Sequence, residues 1–301
     1  MTDDLQALPK IDAHHHLWDV ENNPYPWLTG PTEPRLYGDY GPIKQNYLID
    51  DFLADSQPHS VIKSVHVQAN WDPADPVGET RWCQGVADAH GFPHAIVGHA
   101  NLAESDVERV LAAHCESANM RGIRHIIGHT DHPDHPRPRP DYLNDPAWEH
   151  GFSLLREYSL SFDFQLFPRH MADAARIVRA YPATPVAICH TGFPFPRDDE
   201  GLALWRRGMR ALSECPHVYA KLSGPAMVML DWTVDSFGPF IRETIDLFSP
   251  ARCMFASNVP PDLLAKSYDQ IYAAFYDWAA PYSADEQRQL FHDTAAAFYR
   301  I

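Results

Sequence analysis

"KIDAHHHLWD", Lys10 to Asp19, sets three consecutive histidines inside an apolar β pattern close to the start of the chain. The run admits three readings: a tag remnant, a chance surface cluster, or the first ligands of a metal site. It is short and internal for a tag. Side chains on a strand alternate between faces, so regular alternation puts Asp12, His14 and His16 on one face and His15 behind it. Two imidazoles two residues apart at a strand end can converge on one ion, and a carboxylate on the same face can orient a ligand from behind. The same stretch decides the fold. An open doubly wound sheet announces itself by a glycine-rich turn after its first strand, whereas here the first strand runs into histidines.

Outward from that stretch, short β-rich runs alternate with helical patterns to the end of the chain. Strands are expected at 10–14, 62–68, 94–100, 122–127, 160–166, 185–190, 217–223 and 252–257. Helical patterns fall between them, the clearest at 47–56, 78–90, 105–118, 145–158, 171–181, 202–214, 235–248 and 267–280. Ser105 with Glu108 and Ser283 with Glu286 have capping-box spacing, and Asp145 before Pro146 has the form of an N-cap and first turn. Eight strands alternating with about eight helices in 301 residues, with no linker or repeat, predict one (β/α)8 barrel domain spanning 1–301. Two proline-rich stretches, 22–42 and 129–142, follow the first and fourth strands and therefore belong to the C-terminal rim, where barrel active sites form.

Composition bounds the function. With 24 Lys+Arg against 40 Asp+Glu the formal charge is −16, which gives no footprint for nucleic acid or an anionic membrane surface. A small-molecule substrate is the default. The five cysteines are odd in number and widely spaced, which speaks against a disulfide framework or a zinc ribbon. Neither a signal-like N-terminus nor a span-length apolar stretch occurs in the sequence, so a cytoplasmic location is expected.

His190 ends the sixth predicted strand ahead of a glycine-containing loop, which faces it to the barrel mouth; the bland alternative is a satisfied rim histidine. Arg124 and His125 have alternate facing, so one of the two points inward, and an inward Arg124 suits a carboxylate or phosphate. Gln68, Lys221 and Ser223 follow the same rim-facing logic as substrate contacts. Trp18, Trp27 and Trp71 are either pocket walls or packing, and the His129–His135 run is taken for a solvated lid segment.

These blocks together resemble the amidohydrolase superfamily, in its lactonase-rich branch that includes 2-pyrone-4,6-dicarboxylate lactonase and L-fuconolactonase. The likeness rests on "IDAHHHLWD" and "YPWL", "RGIRHI" at 121–126, "LSFDFQLFP" at 160–168, "ICHTGFP" at 188–194, "VYAKLSG" at 218–224 and "RCMFASNVPPD" at 252–262. It implies a distorted (β/α)8 barrel that hydrolyses a lactone or a related ester or amide of a small molecule. It also implies His14, His16 and His190 as ligands of one divalent metal, zinc first with iron or manganese as alternatives, although some members of the branch work without a metal. His190 and Asn258 are then the catalytic pair.

Two positions depart from the family pattern. Gln165 stands where metal-rich members carry a fifth-strand histidine, which disfavours a dinuclear site. Asn258 stands where the usual block, "GSDWP", has an aspartate that serves as ligand and base. An amide cannot take a proton from water as a carboxylate does. It can coordinate weakly through oxygen or hydrogen-bond water or substrate. Three neutral histidines would leave an ion's charge uncompensated and lower the pKa of bound water; alternatively His190 or a substrate carboxylate takes the proton. The substitution also leaves a reading of another class: a hydrolytically weak subunit of a heteromeric enzyme, or redox chemistry on iron or manganese. A homo-oligomer or a related partner subunit accords with either.

Overall fold

A computed structural model describes residues 2–128 and 140–301. The strands are β1 (Lys10–His15), β2 (Val61–Val67), β3 (Ala95–Gly98), β4 (Met120–Ile123), β5 (Ser161–Phe164), β6 (Val186–Ile188), β7 (Val218–Leu222) and β8 (Cys253–Phe255). They form one all-parallel sheet in chain order. The ends of the sheet meet through Asn258 N donating to His14 O at 2.8 Å and His16 N donating to Val259 O at 2.8 Å. The expected barrel is therefore the observed fold, and each predicted strand overlaps an observed one.

The helices follow from apolar stripes against the sheet. Ile177 and Val178 of the helix Met171–Ala180, and Trp205, Met209 and Leu212 of the helix Asp199–Ser213, are buried on such faces. Asp145 caps the helix Pro146–Leu154 by accepting from Ala147 N at 2.8 Å, and Ser283 with Glu286 forms its capping box, as expected. Ser105 does not cap. Its helix begins at Val107 with Asp106 at the N-cap position, and the Asp106 carboxylate pairs with Arg109 instead.

The inner face of the sheet is built from small and β-branched residues, among them Ala13, Ala95, Ala187, Ala256, Val65 and Val97. So much alanine leaves space. Phe298 and Tyr299 of the C-terminal helix Thr294–Tyr299 fill it, while Arg300 reaches Ser159 O just ahead of β5, which places this segment at the N-terminal end of the strands. That end is sealed by packing; His16, Arg124, His190 and Asn258, which follow the strands' C-terminal ends, line a pocket at the opposite end. No helix among the described residues is long and apolar enough to cross a membrane.

Candidate active site

β1 delivers its histidines through a bulge. Asp12 pairs with Ser64 and His15 with His66, so three steps on β1 oppose two on β2. The extra residue breaks the two-residue alternation: Ile11 and Ala13 face the barrel interior, and His14 does so as well. His15 points back, its ring stacked 4.0 Å from Phe52 and its Nε2 2.9 Å from Ser64 Oγ. His16 turns inward again, with its ring centroid 5.0 Å from that of His14.

Asp12 does not share the histidine face. Its carboxylate lies behind the strand, accepting from Ser257 N at 2.9 Å, Tyr268 Oη at 3.0 Å and His14 N at 3.2 Å. The reason is the bulge, which shifts the parity between Asp12 and His14. Asp12 thus pins the bulge to β8 instead of backing an imidazole.

His190 follows β6 in a left-handed conformation, φ 54°, and its ring sits 4.7 Å from that of His14. Its Nδ1 is 3.0 Å from Ser223 Oγ. Gly224 allows this close approach: a Cβ there would lie 2.7 Å from the His190 ring, and its own φ is +69°. His16 Nδ1 is engaged by Val67 O at 2.5 Å. Both His16 and His190 line the pocket, leaving each Nε2 for a ligand. Burial first, and then neighbouring cations and imidazoles, hold His14, His16 and His190 well below the ordinary imidazole pKa. All three rings are neutral, the form that ligates metal or accepts a proton.

Arg124 is the inward member of its pair. Its Nη1 donates to Gln165 Oε1 at 3.0 Å and lies 3.4 Å from His14 Nε2, and its Nη2 donates to the Gln68 carbonyl oxygen. His125 packs outside the barrel, its Nδ1 3.0 Å from Trp148 Nε1 and its ring against Tyr142. Gln68 gives the site its carbonyl oxygen; its side-chain Oε1 accepts from Asn70 N at 2.7 Å, and its buried Nε2 has no hydrogen-bond partner. Lys221 lies beneath the pocket, buried in an ion pair with Asp163 at 2.5 Å, with Tyr299 Oη on the same carboxylate and His14 Nδ1 3.4 Å away. Ser223 meets His190, not the pocket. His125, Gln68, Lys221 and Ser223 are not among the described residues that line the pocket, and His125, Lys221 and Ser223 are turned to Trp148, Asp163 and His190 instead.

Asn258, at φ 55°, donates from Nδ2 to Asp262 Oδ2 at 2.6 Å. Asp262 Oδ1 accepts from Ala226 N at 2.8 Å, and burial pushes this carboxyl up to about 7. The bond commits the Asn258 amide nitrogen, so Oδ1 is the atom left for the pocket. Asp262 escaped the sequence reading, although it stands four residues on in the same "NVPPD" block. Arg35, Tyr37, Asn70 and Ile126, outside the helices and strands, and Met227, in the short 3-10 helix Pro225–Met227, also line the pocket without having been anticipated. Trp18 and Trp27 are walls; Trp71 instead packs on Tyr25 and Trp82. The His129–His135 run lies outside the described residues.

Two donor sets bear on a metal. Ligand atoms of His14, Asp163 and Cys189 lie within 4.8 Å of one another. That set fits an ion poorly, because Asp163 is taken by Lys221 and Tyr299 while burial pushes the Cys189 thiol up to about 12, keeping it protonated. The imidazole set fits better: three neutral rings, two with free nitrogens on the pocket. His14 joins them if Arg124 gives way at its Nε2.

The chain matches the family described as Amidohydrolase over residues 11–301. It belongs to the amidohydrolase family. This amidohydrolase is 43% identical to an uncharacterized protein, y4mH, of Sinorhizobium fredii, over 97% of this chain and 98% of that one. It is 29% identical to the L-fucono-1,5-lactonase of Burkholderia multivorans, over 97% and 96% of the two chains. A crystal structure of a Burkholderia multivorans amidohydrolase with bound zinc superposes with a TM-score of 0.81 at 25% identity, covering 97% of this chain and 99% of that one. The zinc in that neighbour and the imidazole cluster of His14, His16 and His190 together support a divalent-metal site in this amidohydrolase.

Proposed function

We propose that this amidohydrolase opens a small-molecule lactone or a related ester, with His190 and Asn258 acting on the attacking water. The observation that carries the proposal is the cluster of neutral imidazoles around His14, with His16 and His190 on the pocket beside the Asn258 amide. The 29% identity to a protein named as L-fucono-1,5-lactonase favours a lactone over other carbonyl substrates.

His190 Nε2 accepts a proton from water, with Ser223 holding Nδ1 and so fixing the ring. Asn258 Oδ1 accepts the other water hydrogen and aims the lone pair at the carbonyl, its orientation set by Asp262. As the acyl C–O bond of the ring breaks, the leaving alkoxide takes the proton from His190, and the product is a hydroxy acid. A divalent ion, zinc foremost and iron or manganese as alternatives, would be held by His16 and His190 with His14 as third donor; His190 Nε2 would then be a ligand in place of the proton acceptor, since Ser223 holds the other ring nitrogen. When bound, the ion supplies polarisation of the carbonyl and a more acidic water.

The test is a panel of sugar lactones followed by proton release, alongside elemental analysis of wild type, His16→Ala and His190→Ala purified without chelator. The proposal expects turnover by wild type and a loss of about 10²-fold or more in His190→Ala. Near-stoichiometric metal that drops in both variants supports the ion. Full activity without metal transfers the chemistry to His190 alone. No turnover of any lactone overturns the hydrolase assignment.

A further inference from the structure

A second cavity, of about 360 Å³, opens at the end of the barrel opposite the histidines. It lies between the segment that joins the helix Val107–His114 to β4, the residues just ahead of β5, and the end of the C-terminal helix. Arg121, on β4, and Arg300 both line it. Backbone carbonyls fix one nitrogen of each guanidinium: Arg121 Nη1 donates to Ala118 O at 2.7 Å and Met120 O at 2.8 Å, and Arg300 Nη2 donates to Ser159 O at 2.8 Å. The other nitrogens, Nε and Nη2 of Arg121 and Nε and Nη1 of Arg300, have no protein acceptor among the described residues.

Two like charges are thus anchored side by side without a counter-charge. Arg300 Nη2 reaches within 3.5 Å of Arg121 O, and burial, then the Arg300 charge, lowers the Arg121 pKa. None of the described residues lining the cavity is acidic, and no carboxylate pairs with either arginine among the described residues. Glu108 and Glu157 act on the neighbouring Tyr158 phenol, but neither lines the cavity. The chain carries a formal charge of −16, so this positive pair is a local feature and not part of a general basic surface. Ser117 and Ser159 line the same cavity and bond to the described protein through their backbones only, which leaves both hydroxyls available. Two guanidinium forks and two hydroxyls outnumber the oxygens of a carboxylate; a phosphate group, doubly charged with three free oxygens, matches them. Met120, Tyr158 and Leu160 add apolar surface beside these donors, room for a small organic group.

We propose that this cavity binds a small phosphomonoester, with Arg121 and Arg300 on its phosphate oxygens and the Ser117 and Ser159 hydroxyls completing the cradle. The organic part of the ligand lies along Met120, Tyr158 and Leu160. The site is separate from the pocket of His16 and His190 and does not depend on the hydrolase reading.

Cys115 gives the site its own reporter. It lines the cavity and is exposed, whereas the other four cysteines are buried. Iodoacetamide, an uncharged reagent, is allowed to alkylate wild type while peptide mass spectrometry follows each cysteine. Glycerol 3-phosphate at about ten times its Kd is expected to slow the reaction at Cys115 roughly tenfold, and the same concentration of glycerol to leave it unchanged. Calorimetric titration with glycerol 3-phosphate should show affinity falling about tenfold or more in Arg121→Gln and in Arg300→Gln, with part of it restored in Arg300→Lys. Ser117→Ala keeps the anchors of both arginines, which guards against a variant that merely folds badly, and is expected to weaken binding about threefold or more. Tighter binding of glycerol 3-phosphate than of inorganic phosphate supports the phosphomonoester; equal binding gives the cavity to phosphate itself and overturns the ester. No binding, binding that leaves Cys115 unprotected, or binding that survives both arginine variants overturns the site. Loss of binding in Arg35→Gln likewise overturns it, because that result places the anion in the other pocket.

Discussion

At Asn258 the side chain is committed to a buried neighbour, its Nδ2 donating to Asp262 Oδ2. An aspartate at this position would place a second carboxylate against Asp262, at the present 2.6 Å contact, where two like charges cannot both be ionised. Asn258→Asp alone is therefore expected to raise kcat/KM for lactone hydrolysis little, because the pair shares a proton. The double variant N258D/D262N frees the new carboxylate and gains roughly tenfold or more over the single one. Asp262→Asn by itself releases the Asn258 amide and lowers kcat about tenfold with KM nearly unchanged, as steady-state kinetics will report. Gly224 belongs to the same scale. A methyl group 2.7 Å from His190 must push the ring aside, so Gly224→Ala costs about 10²-fold in kcat while circular dichroism keeps its barrel signature.

The decisive element is β1. Its bulge brings His14 and His16 to one side with His15 behind them, and the Asp12 carboxylate fastens the bulge to Ser257 N and Tyr268 Oη. Asp12→Ala leaves those donors buried without an acceptor. A stability loss of roughly 3 kcal/mol is expected, read as a lower urea midpoint, together with loss of activity because His14 is no longer aimed. Helix starts show the same dependence on neighbours. Asp145 caps where Pro146 fixes the first turn, whereas Ser105 is bypassed because the helix begins at Val107.

For the molecule as a whole, burial of ionisable groups sets the response to pH. His114 is fully buried between Thr80 Oγ1 and His99 O, and burial pulls its pKa down to about 4. A depressed histidine pKa means that the unfolded chain binds the proton more readily, so stability is complete above about 6.5 and falls as pH drops toward 4. The contribution is on the order of 3 kcal/mol, and the buried imidazoles of the site act in the same direction. Thermal midpoints between pH 7.5 and 5 check the sign: His114→Gln should flatten the decline relative to wild type. The Lys221–Asp163–Tyr299 group ties β5, β7 and the C-terminal helix beneath the site. Lys221→Met strands the carboxylate in the barrel, with an expected loss of roughly 3–5 kcal/mol by denaturant unfolding.

The sequence by itself determined the barrel, because the alternation of β-rich runs and amphipathic helices is a local property, and each of the eight expected strands overlaps an observed one. It also found the end of the barrel that bears the site, and His14, His16, His190, Arg124 and Asn258 as neighbours at that end. Only the tertiary structure decided the facing of Asp12, since a bulge is set by pairing with β2 and alternation along one strand cannot reveal it. Only tertiary structure, too, turned His125, Lys221 and Ser223 away from the pocket and brought Arg35 in from a loop without period. Side-chain direction at a barrel rim depends on which partner is within reach, and for His125, Ser223 and Lys221 those partners, Trp148, His190, Asp163 and His14, lie 23 to 207 residues away in the chain.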